Sequence, residues 1–250
     1  MKFVKWLTGC VGAIAFVFLS LSVAIEVPAF SMWFYKMEFD KNGTYAQVDM
    51  QKDDLNAVTR HMLSYMAGMS DELNINTVVA GQSRLFFSDI EIFHMKDVRG
   101  LTVITIRVTI ASIILLLFCA LSVYLMQKRR ERRYLLKNEP TEFGFFFRSL
   151  RNVCIGVIAV VGALAAIVAI DFDGAFIKFH EIFFDNDAWL LDPSKDLLLN
   201  IVPTEFFIDA AILGGAVFIF LLVVGVVVSA FVLRGKPAGR MRLSRRGYDY

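Results

Sequence analysis

Residues 101–137 read LTVITIRVTIASIILLLFCALSVYLMQKRRERRYLLK. The first two thirds are almost wholly apolar and exceed the roughly 20 residues a helix needs to cross a hydrocarbon core. The rest is a basic run. Inside lipid such a stretch must be helical, because a helix satisfies its own backbone hydrogen bonds. Three further stretches have the same character, at about 6–30, 153–170 and 206–233. With 57% hydrophobic residues and a mean hydropathy of +0.58, the chain is too apolar for an ordinary soluble domain. The expected fold is an all-α membrane protein with four transmembrane helices, forming one membrane domain over 1–250.

The basic run then sets the orientation, since positive charge near span ends stays on the cytoplasmic side. The N-terminus, the 127–152 loop and the tail after residue 233 carry 16 of the 26 Lys and Arg residues. Of the 24 acids, 20 lie on or at the border of the other side. Both termini are therefore expected in the cytoplasm, and 36–100 and 171–205 form an extracytoplasmic, mainly helical cap. The basic tail RGKPAGRMRLSRR reads as an anchor on anionic lipid rather than a nucleic-acid arm.

Two tempting signals are set aside. LTGC at 7–10 matches a lipobox, but the apolar run follows it, whereas a signal peptide places that run before the cleavage site. Cys10, Cys119 and Cys154 all fall in or beside spans, so no disulfide framework is expected.

The first cap segment is too long for a connector. Leu55, Val58, Met62, Tyr65 and Met66 recur at helical spacing behind Asp53 and Asp54, predicting an amphipathic helix on the bilayer or on the spans. NINTVVAGQSRLFF suggests a short extended stretch, and SDIEIFHMKDVRGL a helix running into the second span.

Three histidines face the cap. In EIFHMKDV, Glu91, His94 and Asp97 are spaced i, i+3, i+6, so a carboxylate lies one turn away on each side of the imidazole. A carboxylate can orient a histidine and fix its tautomer; a solvated charged helix explains the same pattern. In AFIKFHEIFFDND (175–187), His180 stands among phenylalanines, where burial would keep it neutral and basic. An interfacial aromatic belt is the other reading. His61 has neither feature. Ser83 and Ser88 lack the G-x-S-x-G frame of a nucleophile, and no H-E-x-x-H pair or phosphate-binding loop is present.

EIFHMKDVRGL and FHEIFFDNDAWLLDPSKDLLLNIVPTEFF resemble the Lit family, the lipoprotein intramolecular transacylases of Gram-positive bacteria. The matching residues are Glu91, His94, Met95, Asp97 and Val98, then Phe179, His180, Phe183, Phe184, Asn186, Trp189 and Pro203. The resemblance implies a cell-membrane acyltransferase acting on diacylglyceryl-modified lipoproteins with a free N-terminal cysteine amine. It would move the sn-2 acyl chain to that amine and leave a lyso-form lipoprotein. His94 and His180 would be the catalytic pair, with Glu91 or Asp97 in support and Arg84 or Arg99 as further oxyanion candidates. Phe176, Phe179, Phe183, Phe184 and Trp189 would bind the substrate. No metal, organic cofactor or nucleic acid is implied; the partners are lipoprotein and membrane lipid, and the protein is expected to be monomeric. Two rivals remain: a zinc-dependent membrane hydrolase with the same histidines as ligands, and a non-catalytic sensor or assembly protein that presents an acidic outer cap and needs neither histidine.

Overall fold

A computed structural model describes residues 2–132 and 142–234. The basic tail after residue 234 and most of the loop after 132 lie outside those residues. The elements are α1 (Lys2–Phe30), α2 (Met32–Asn42), α3 (Thr44–Gln47), α4 (Lys52–Met66), β1 (Asn76–Val79), β2 (Gln82–Leu85), α5 (Asp89–Arg132), α6 (Glu142–Ile170), α7 (Phe172–Phe183), α8 (Leu197–Ile201) and α9 (Thr204–Arg234). Four helices, α1, α5, α6 and α9, are long and apolar enough to cross a membrane. Their flanks expose large apolar side chains, among them Phe118, Ile167 and Phe231. In water such surfaces would associate, whereas in lipid they are solvated.

α1 packs against the other three long helices, and α6 packs against α9. Small residues permit the close approaches. A Cβ on Gly214 of α9 would meet the Ala24 carbonyl of α1 at 2.8 Å, and one on Gly225 would meet Phe16 at 2.8 Å. Between α1 and α5, Thr109 Oγ1 donates to the Glu26 carboxylate at 2.7 Å, giving a carboxylate inside the first span a partner it needs there. α5 and α9 scarcely touch each other.

Two long helices differ from the expected spans. α6 begins about ten residues before the predicted third span, because Phe146 and Phe147 pack against the α1–α6–α9 core and extend the apolar face past Arg148 and Arg151. α5 has 44 residues, about 66 Å at the helical rise, roughly twice the hydrocarbon thickness. Its apolar part begins at Leu101, so 89–100 form a more polar stretch ahead of it.

These first three or so turns of α5 join a second core, here called the head. Phe34, Phe39, Leu55, Val58, Met62, Phe86, Met95, Ile201 and Phe206 are buried together, each side chain contributing about 1.5–3 kcal/mol. α4 buries all five residues of its apolar stripe in this core rather than against the bilayer. Thr102 Oγ1 donates to the Met66 carbonyl at 2.7 Å, fastening the end of α4 to α5. The extended stretch is an antiparallel hairpin, with Val79 opposite Gln82 and Asn76 opposite Leu85. Its two-residue turn, Ala80–Gly81, has both φ angles positive, at 51° and 74°, the geometry that matches strand twist.

Candidate active site

α5 supplies His94 and α7 supplies His180. The first turn of α5 is a capping box: the Ser88 backbone N–H donates to Glu91 Oε2 at 2.6 Å, and the Glu91 N–H approaches Ser88 Oγ at 3.4 Å. The S-x-x-E pattern is a helix-start signature. Glu91 Oε1 accepts from the backbone N–H of Leu198 at 2.5 Å, so both oxygens of this buried carboxylate are taken by main-chain donors. Burial nevertheless pushes its pKa up. Among the described residues no hydrogen bond joins Glu91 to His94; Glu91 holds α8 against α5. Ser88 Oγ also donates to Asp196 at 3.0 Å, whose other oxygen accepts from the Asp192 N–H at 2.8 Å.

α6 stops at Ile170 because Asp171 leaves helical geometry and caps α7, its carboxylate accepting from the Gly174 N–H at 2.9 Å. The redirected helix brings His180 to His94. Their ring centroids are 6.0 Å apart at an interplanar angle of 31°, and each imidazole is only 8% exposed. Phe184 stands edge-on to His94 at 5.2 Å and against His180 at 5.5 Å. Phe176, at 4.3 Å, and Trp189, at 4.9 Å, cover other sides of His180. Phe179 stands edge-on to it at 5.5 Å. Phe183 is half-exposed and touches Phe179 instead.

Both imidazoles are kept neutral. Burial, reinforced by the neighbouring His180, lowers the His94 pKa to about 4, against a smaller opposing pull from Asp97. Burial also lowers the His180 pKa, opposed by its bond to the Phe176 carbonyl. That bond, 2.8 Å from Nδ1, fixes the tautomer: a carbonyl only accepts, so Nδ1 carries the proton. Neutral His180 therefore presents a free lone pair on Nε2.

His180 also lines a cavity of about 630 Å³, within the range of ligand sites. Its wall runs from Phe176, Phe179, His180 and Phe184 down between α1, α5 and α9, past Ile25, Thr105, Phe207, Ala210 and Gly215. It is the space left where α5 and α9 stand apart, and its lining is almost wholly apolar. A long chain entering it would leave its polar end at the imidazoles.

The remaining candidates lie elsewhere. Arg99 bonds Asp71 at 3.2 Å and covers Tyr65, Arg84 donates to the Leu85 carbonyl, and His61 bonds the Glu72 carbonyl at 2.8 Å. Ser83 is exposed on β2. Among the described residues no group of three His, Cys, Asp or Glu side chains is placed to hold a metal ion. Sequence reasoning missed the tie from Asn186 Nδ2 to Asp97 Oδ2, at 2.9 Å, and the Glu91–Leu198 bond, because neither partner is near in sequence. The capping box did leave a local signal, Ser88 and Glu91 at the required spacing, which the sequence reading did not use.

Four helices long and apolar enough to cross a membrane, with a head that brings two buried imidazoles together beside an apolar chamber, define a multi-pass membrane protein. The lipoprotein intramolecular transacylase (Lit) family model matches residues 10–207, and the chain belongs to that family. The fold is similar to that of the membrane-integral lipoprotein intramolecular transacylase Lit from Bacillus cereus, at 23% identity and a TM-score of 0.69, covering 94% of this chain and 96% of that one. Two structures of that protein, each with one histidine substituted, match at 21% identity and TM-scores of 0.67, covering 93% of this chain and 93% or 94% of theirs. No curated protein sequence matches the chain.

Proposed function

We propose that this protein moves the sn-2 acyl chain of a diacylglyceryl-modified lipoprotein onto the α-amino group of the same molecule's N-terminal cysteine. The observation that carries this reading is the facing of His94 and His180, 6.0 Å apart, with His180 on the wall of the apolar cavity. The head faces outward, in keeping with the basic residues at the opposite end of the bundle and the positive-inside rule. Substrate ester and amine then lie at the lipid–water boundary, level with the imidazoles.

The α-ammonium has a pKa of about 7.7–8, so neutral His180, through Nε2, removes a proton at modest cost. The freed amine attacks the sn-2 ester carbonyl, forming the C–N bond and a tetrahedral oxyanion. His94, also neutral, offers its ring N–H to that oxyanion or to the departing glycerol oxygen. Collapse breaks the C–O bond, the glycerol oxygen takes one proton, and the second amine proton leaves through the imidazoles. The product is an amide and a free sn-2 hydroxyl. The two rings, so close together, hold one proton at a time, as repulsion between two imidazolium ions requires. Donor and acceptor belong to one substrate, so positioning supplies much of the rate. Phe176, Phe184 and Trp189 keep water from the ester while the acyl chain occupies the cavity.

The test is expression of wild type, His94→Ala and His180→Ala in a host without N-acylation, with lipopeptide N-termini identified by mass spectrometry. Lyso-form product from wild type alone, undiminished by EDTA, is expected. Its absence from wild type overturns the reading; EDTA sensitivity would point to a zinc hydrolase, and activity surviving loss of both histidines to a different centre.

A further inference from the structure

The acceptor amine reaches the head as a cation at neutral pH, since its pKa is about 7.7–8. A half-buried ammonium needs a counter-charge, and two neutral imidazoles offer lone pairs but no charge. The carboxylates of the head differ in what they have left to give. Glu91 has both oxygens on backbone donors. Asp196 also has both oxygens engaged, one by the Ser88 hydroxyl and one by the Asp192 N–H. Asp71 is paired with Arg99 and Glu181 with Lys178.

Asp97 is different. One turn beyond His94 on α5, it is half-buried, and its charge acts on the His94 ring. Oδ2 accepts from Asn186 Nδ2 at 2.9 Å; among the described residues Oδ1 has no partner and no cation pairs with the group. The Asn186 amide cannot turn over, because its Oδ1 accepts the Ala188 N–H at 3.0 Å. That turn leads directly to Trp189, whose ring lies against His180 at 4.9 Å. Asp97 is thus a carboxylate held through one oxygen, one turn from His94, with lone pairs to spare. Asp185 and Asp187 are exposed and solvated.

We propose that Asp97 is the seat of the substrate's α-ammonium, and that Asn186 is a positioning residue that sets the carboxylate's direction. This rests on the transacylase reading. Holding the ammonium beside the imidazoles delivers its proton to the base, and no step in the proton balance changes. It also lets the protein select lipoproteins whose cysteine amine is free over those already N-acylated.

The experiment compares binding of a synthetic S-diacylglyceryl lipopeptide with a free N-terminus and its N-acetylated counterpart to detergent-solubilised protein. At pH 7 wild type is expected to prefer the free amine about tenfold, equivalent to about 1.4 kcal/mol. The preference fades as pH rises through about 8, where the amine loses its charge. Asp97→Asn binds the two peptides alike, Asp97→Glu keeps a preference, and Asp187→Asn leaves it at the wild-type value. Asn186→Ala weakens the preference and raises KM more than it lowers kcat. A wild-type preference in Asp97→Asn overturns the proposal. Should that variant not fold, a wild-type preference unchanged across pH 8 overturns it equally. Lyso-form production by wild type is scored in parallel, so failure of the transacylase reading is seen separately.

Discussion

The backbone N–H of Leu198 donates to Glu91 Oε1 at 2.5 Å, and that bond lashes the segment after α7 to the first turn of the helix carrying His94. With Ser88 bound to the other Glu91 oxygen, removing the carboxylate orphans two partly buried main-chain donors. Glu91→Ala should cost about 3 kcal/mol, given roughly 1.5–3 kcal/mol for a hydrogen bond to a charged group. Glu91→Gln should cost less, because its amide oxygen still satisfies one donor. Melting followed by a thiol-reactive dye checks this, with buried, free Cys119 and Cys154 as reporters. Activity per folded molecule should fall far less than for the histidine variants.

For the imidazoles the order reverses. His180→Gln and His94→Gln each keep a polar side chain of similar reach but cannot carry the proton. Each is expected to lose about 10²–10⁴-fold in turnover, the usual worth of a general acid or base, with little change in melting temperature at pH 7. Rates are read from the N-acylated lipopeptide by mass spectrometry. A residual rate within tenfold of wild type for His180→Gln would remove it as the base.

Depressed histidine pKa values make two pH predictions. Turnover should hold below pH 6.5, the ordinary histidine value, and fall only on further acidification, when the pair takes up a proton. Stability follows the same sign. The folded His94 pKa is about 4, so between pH 6.5 and 4 the unfolded chain binds the extra proton. Acidification across that window should destabilise the fold by up to about 3 kcal/mol. Melting measured against pH should show this slope, and His94→Gln should flatten it.

Gly215 lines the cavity, and a Cβ placed on it meets nothing within 4 Å. Gly215→Leu should therefore put its branched end into the chamber from an unobstructed Cβ and gain somewhat under about 1 kcal/mol of helix propensity within α9. A protein at least as stable as wild type that handles short-chain lipopeptides but rejects long-chain ones is the expected result. Equal rates on both would mean that the acyl chain lies elsewhere.

Much of the architecture was legible along the chain because apolar length and helical period are local properties. Four long helices, the buried stripe of α4 and the extended stretch before residue 88 follow from patterns that neighbouring residues share. Boundaries were less legible: α6 starts at Glu142 because Phe146 and Phe147 find partners on other helices, which no local pattern reveals. The family and its two histidines were legible through the runs around residues 91–98 and 179–189.

What the sequence could not decide was how those residues meet. A carboxylate one turn from His94 has the same spacing whether it grips the imidazole or a distant main chain. Only the packed head shows Glu91 turned to Leu198 and Asp97 turned to Asn186, since both partners arrive through tertiary contact. The neutral state of the imidazoles is likewise tertiary. It depends on Phe176, Phe184 and Trp189 stripping water from rings that α5 and α7 bring together, and burial is a property of the assembled fold rather than of any stretch of it.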